Sequence, residues 1–76
     1  MNAPKPDLPN GIYRHYKGNL YQVTGLARHS ESGEWLAVYQ ALYGDFGLWV
    51  RPAGMFAETV AGEHGDVPRF KLIEPR

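Results

Sequence analysis

No cysteine occurs anywhere in these 76 residues, and that absence constrains the chain more than any motif in it. A chain this short forms one domain. Domains of this size commonly lean on disulfides or a metal cage to offset the entropy of ordering, on the order of 1.5 kcal/mol per residue. Without thiols there is no disulfide scaffold, no thiolate zinc ribbon and no cysteine nucleophile. The fold must rest on apolar burial alone. The means are present: 43% of the residues are hydrophobic, and ten are aromatic, namely Tyr13, Tyr16, Tyr21, Trp35, Tyr39, Tyr43, Phe46, Trp49, Phe56 and Phe70. Each ring buries about 150–250 Å² when covered, so most are expected in the core or at its edge.

Glycine and proline divide the rest of the chain into short pieces. Residues 1–10 hold three of the six prolines and one large aliphatic side chain, which reads as a flexible proline-rich leader. The domain proper is expected over 11–74. A first strand spans 11–16, turned by Lys17-Gly18-Asn19, and a second spans 20–28, where Gly25 marks a bulge or bend. After a turn at 30–33, WLAVYQALY at 35–43 alternates as a strand, with Leu36, Val38 and Leu42 on one face and Trp35, Tyr39 and Tyr43 on the other. The same three rings also fit helical spacing, but the valine and tyrosine content and the flanking glycines favour a strand. A strand at 48–50 stops near Pro52, one helical turn falls near 53–58, a polar loop covers 62–68, and RFKLI at 69–73 alternates as the last strand. Five or six short strands in so short a chain predict an all-β domain closed as a small barrel.

The net charge is zero and the pI about 6.8, which argues against a dedicated duplex-DNA binder. That balance hides an asymmetry. Residues 1–30 carry Lys5, Arg14, Lys17 and Arg28 against Asp7 alone, and the remainder holds the matching acidic excess. No apolar run approaches the roughly 20 residues of a membrane span. The N-terminal residues lack a signal-peptide pattern, so a cytoplasmic location and no membrane partner are expected.

Three constellations could carry chemistry. Arg14-His15-Tyr16-Lys17 joins an anion-binding guanidinium, a titratable imidazole and a stacking ring, although alternation on a half-buried strand explains it equally well. Arg28-His29-Ser30-Glu31 spells the letters of a triad, but strand neighbours point to opposite faces, and no GxSxG elbow presents the serine. His29 with Glu31, joined by His15 or His64, fixes no metal geometry, so no metal and no cofactor are expected. In Trp49-Val50-Arg51-Pro52, Leu48 and Val50 pointing inward would send Trp49 and Arg51 outward together, as a stacking surface with an anion handle. If Trp35, Tyr39 and Tyr43 also faced outward, the aromatic patch would be large enough to mark a binding surface. No phosphate-cradling glycine loop is present.

Several strings occur together: Gly11-x-Tyr13-Arg14-His15-Tyr16-Lys17-Gly18, Tyr21-x-Val23-x-Gly25, Ala27-x-His29-Ser30-Glu31, Val38-Tyr39, Leu42-Tyr43-Gly44-Asp45, Trp49-Val50-Arg51-Pro52, Met55-Phe56 and Pro68-Arg69-Phe70. With these, the chain resembles the bacterial domain-of-unknown-function 1653 family from Gly11 to about Phe70. The resemblance implies an SH3-like barrel. It supplies no established activity, so no catalytic residue is carried over.

The expectation is a non-catalytic binding module. Its face is drawn from Arg14, His15, Tyr16, His29, Tyr39, Tyr43, Trp49, Arg51 and Arg69. Its ligand is an extended peptide, or an anion such as single-stranded nucleic acid bound weakly and with steep salt dependence. Two alternatives stand beside it. One is a small enzyme acting on an anionic substrate, with His15 or His29 as general base and Arg14 or Arg51 as clamp. The other is an accessory domain that docks or oligomerises.

Overall fold

In the computed structural model, which describes residues 4–76, seven strands and one helical turn follow each other: β1 (Gly11–His15), β2 (Leu20–Arg28), β3 (Trp35–Ala41), β4 (Leu48–Pro52), α1 (Ala53–Phe56), β5 (Thr59–Gly62), β6 (Gly65–Pro68) and β7 (Phe70–Pro75). Five of the strands form one antiparallel sheet in the order β4-β3-β2-β1-β7, and β5 and β6 form a separate hairpin. The class is mostly β, as the punctuation predicts. The barrel does not close: among the described residues no pairing joins β4 to β7, and side chains fill the space between them instead.

The bend at Gly25 is a true bulge. Register slips between Val23↔Tyr39 and Gly25↔Val38, leaving Thr24 as the extra residue. Its hydroxyl donates to the Val38 carbonyl at 3.3 Å. An inserted residue shifts the period-2 alternation by one, so Val23 before the bulge and Leu26 after it both meet the core. The single strand thereby bends and still keeps its apolar side chains inward.

The core is aromatic at its centre. Phe56, from α1, stacks on Phe70 of β7 at 3.9 Å between centroids. It meets Tyr39 at 5.2 Å and Tyr13 at 5.6 Å, both edge-on. Val23 and Ala37 complete the buried cluster, with Leu8, Tyr21, Leu26 and Leu72 packed around it. No side-chain hydrogen bond caps α1, and four residues are too few for a helix to hold itself. The burial of Phe56 is what seats the turn against the sheet. Ahead of β1, Leu8 packs on the cluster, and the Tyr13 hydroxyl donates to the Pro9 carbonyl at 2.7 Å. Residues 1–3 of the expected leader lie outside the described residues.

The stretch 62–68, expected to be a polar loop, falls instead mostly within the β5–β6 hairpin. Gly62↔Gly65 closes a two-residue turn, and Val60↔Val67 pair across it. Gly62 permits the approach, since a Cβ there would lie 2.8 Å from the Gly65 carbonyl oxygen. Nearly every residue of the hairpin is exposed, so it has no buried face and no alternation to reveal it.

Candidate functional site

The register of β3 with β4 places the site. Tyr39 pairs with Trp49 and Ala37 with Arg51, and Ala37 and Tyr39 are buried. Trp49 and Arg51 therefore lie on the core face of β4, while Leu48 and Val50 take the opposite face. The two pairs do segregate as the alternation requires, but the expected inward placement of Leu48 and Val50 is reversed. Leu48 is 69% and Val50 59% exposed. Tyr39, considered as an outward ring, is 5% exposed and belongs to the core. Its buried neighbours Ala37 and Ala41 lie on the same face of β3.

At this end of the sheet a cleft of about 230 Å³ opens between Tyr21, Tyr39, Tyr43, Trp49 and Arg51. The floor is rigid. Tyr21 meets Tyr39, Tyr43 and Phe70 edge-on at 5.4–5.7 Å, and its hydroxyl shares a 2.8 Å hydrogen bond with that of Tyr43. Burial, then this bond, pushes the Tyr21 phenol above its ordinary range. Trp49 stands at the mouth, 59% exposed. Gly47 leaves room for it, because a Cβ there would sit 3.4 Å from the indole Nε1. The Arg51 guanidinium reaches over the Phe70 ring at 5.5 Å. Among the described residues it meets no carboxylate, the ion pairs being Arg69–Glu58 and Arg76–Glu74.

His15 borders the cleft, with its ring against Phe70 at 4.9 Å and Tyr21 at 6.5 Å. Burial and then the charges of Arg51, Arg69 and Lys17 push its pKa below the ordinary histidine value. Three cations, of which Arg69 is paired with Glu58, therefore act on this ring. Its Nδ1 accepts the Lys17 backbone N–H at 3.2 Å, which leaves the proton of the neutral ring on Nε2.

The remaining expected residues fall elsewhere. Arg14 and Tyr16 line a second hollow of about 290 Å³ with His15, Val67, Pro68 and Lys71. Arg69 is held by Glu58, at 3.3 Å. His29 sits in the β2–β3 turn, at the opposite end of that hairpin from Tyr21 and Ala41. Its Nδ1 accepts the backbone N–H groups of Glu31 and Ser32 at 3.1 and 3.3 Å, a turn-bracing role. Trp35 is half-buried beneath Arg28, 4.9 Å away. Tyr21 and Phe70 are site residues that sequence reasoning treated as core; their signal was their place on strands flanking His15, which needs the pairing to be seen. Among the described residues no three metal-ligating side chains gather, and no helix is long and apolar enough to cross a membrane.

The molecule is thus a small antiparallel β domain with an aromatic cleft and an uncompensated arginine at its mouth. A family profile described as protein of unknown function (DUF1653) matches residues 11–72, and the chain belongs to that family. It is similar to a crystal structure of a DUF1653 protein from Bordetella bronchiseptica, at 40% identity and a TM-score of 0.81 over 88% of each chain. No curated protein matches the chain.

Proposed function

We propose that the protein is a non-catalytic binding module whose cleft receives an extended ligand bearing a negative charge. The observation that carries this reading is the Arg51 guanidinium, which lies beside the exposed Trp49 and has no carboxylate partner among the described residues. An arginine next to open aromatic faces suits a ligand that combines an anionic group with a flat or apolar one. We read the curled sheet as an opened form of the SH3-like barrel, with Phe56 and Phe70 filling the seam that strand pairing leaves free.

The enzymatic alternative has less support. A general base needs a free ring nitrogen oriented by a third group. In His15 the acceptor nitrogen already takes the Lys17 amide, and in His29 it takes two turn amides.

The test is an NMR titration of the labelled full chain with two probes, a pool of acidic hexapeptides and an oligothymidylate. Saturable shifts of the Trp49 indole and the Tyr43 and Arg51 amides are expected with at least one probe. Arg51→Ala should weaken that binding about tenfold or more, equivalent to about 1.4 kcal/mol. Silence with both probes overturns the reading.

A further inference from the structure

β4 forms one wall of the cleft and is also an edge of the sheet. The phase of its ladder is set where the Ala41 N–H donates to the Gly47 carbonyl at 3.0 Å. Antiparallel pairs alternate between hydrogen-bonded and non-hydrogen-bonded. With Ala41 and Gly47 as a bonded pair, Trp49 and Arg51 bond to β3, and the N–H and C=O groups of Leu48 and Val50 turn outward. The next outward position is Pro52, which has no N–H. The free edge is therefore two residues long and ends in a stop.

The side chains on that edge are apolar and uncovered: Leu48 at 69%, Trp49 and Val50 at 59% each. Phe46 extends the patch into the preceding turn. It is held at φ 57°, a region costly for a bulky residue, and its ring is 53% exposed. Proteins usually blunt sheet edges with charge or proline. The other edge of this sheet is treated that way, since β7 carries Lys71, Glu74 and Pro75. β4 carries Arg51 and Pro52 as well, but Arg51 lies on the cleft face and Pro52 closes the strand, so its two outward positions are both apolar.

We infer that β4 accepts an extended peptide as a sixth strand, pairing through Leu48 and Val50. This rests on the cleft reading and names its ligand. Trp49 and Arg51 point into the cleft side two residues apart, so a paired peptide presents two side chains to them with the same spacing. Charge complementarity sets one of these as acidic, opposite Arg51, and the exposed indole suits an aromatic or aliphatic partner for the other. A second copy pairing β4 against β4 does not meet that requirement, because β4 itself (LWVRP) contains no acidic residue.

The closing experiment uses the labelled full chain and a pool of end-blocked hexapeptides with a glutamate two residues from a phenylalanine. Binding should slow amide exchange at Leu48 and Val50 about tenfold or more. Val50→Pro deletes an outward donor that β3 does not use, a position where an edge strand tolerates proline. It should weaken peptide binding by about tenfold, whereas Val50→Ala keeps the donor and most of the affinity. Unshifted Tyr39 and Trp49 amides check the fold of the variant. Should Val50→Pro disturb the sheet, peptides N-methylated at alternate residues make the same test on the unaltered protein.

Peptide binding lost in Arg51→Ala but retained in Val50→Pro overturns the added strand and leaves the cleft reading standing. Binding of the oligothymidylate alone does the same. Concentration-dependent dimerisation with Leu48 and Val50 already protected assigns the edge to a second copy and also overturns it. Silence from both probes removes the cleft reading as well.

Discussion

Phe56→Ala removes the ring on which the core converges. The side chain is 2% exposed and meets Phe70 at 3.9 Å, Tyr39 at 5.2 Å and Tyr13 at 5.6 Å. Truncating a buried phenylalanine costs about 3–5 kcal/mol through lost transfer energy and the cavity left behind. Aromatic pairs add about 0.5–1.5 kcal/mol each beyond buried area, so the upper part of that range is expected here. A chain of this length has a total stability of about 4–11 kcal/mol; the substitution therefore removes a large share of it. Loss of the anchor also frees α1, which has no capping hydrogen bond of its own.

Urea denaturation followed by tryptophan fluorescence reads the change. At a slope of about 1 kcal/mol/M, the midpoint should fall by about 3 M or more. Should Phe56→Ala not fold at all, Phe56→Leu keeps the measurement possible, with an expected loss of roughly 1–2 kcal/mol. Phe46→Ala, at an exposed ring, serves as the control and should move stability by less than about 0.5 kcal/mol. A loss below about 1.5 kcal/mol for Phe56→Ala, in a folded variant, would refute the claim that this ring holds α1 and the sheet together.

The protonation of His15 has a definite sign. Its native pKa lies below the ordinary value near 6.5 because burial, then Arg51, Arg69 and Lys17, disfavour the charged ring. Between the two values the unfolded chain holds the proton and the native chain does not, so stability falls as pH drops through that window; His15→Gln should flatten the profile. An anion bound at Arg51 reverses the local field, so peptide affinity should rise as pH falls from about 7 to about 6, as a titration at both values would show. Tyr13→Phe deletes the hydroxyl that donates to the Pro9 carbonyl and should cost about 1 kcal/mol, with shifts at the Leu8 amide that a purely internal change would not produce. Phe46→Gly relieves the positive φ at that position; it should hold or raise stability by up to about 1 kcal/mol while weakening the peptide, since the exposed ring is gone.

Local physics determined much of this protein from the sequence. Turn residues and period-2 alternation placed all five strands of the main sheet to within two residues at each end. They placed the bulge at Gly25, where the register does slip, and the helical turn expected near 53–58, found at Ala53–Phe56. Alternation also grouped Trp49 with Arg51 and Leu48 with Val50. Which pair faced inward was another matter. A period of two sorts side chains onto two faces but does not say which face is covered; on β4 that was decided by pairing with Tyr39 and Ala37 and by α1 packing from one side. The β5–β6 hairpin was hidden for a related reason: exposed on both faces, it has no alternation to read.

The site depended still more on long-range contact. Tyr21 of β2, Trp49 and Arg51 of β4 and Phe70 of β7 come from strands far apart in sequence, and only the curl of the sheet brings Arg51 over Phe70. Whether the sheet closes turns on a contact between its first and last strands in space, and Phe56 and Phe70 occupy that seam with stacked rings. Short-range preferences therefore wrote the strands and turns into the sequence. The cleft, the uncompensated arginine and the open edge belong to the tertiary structure, because each arises where residues distant in the chain meet, or fail to meet, across the sheet.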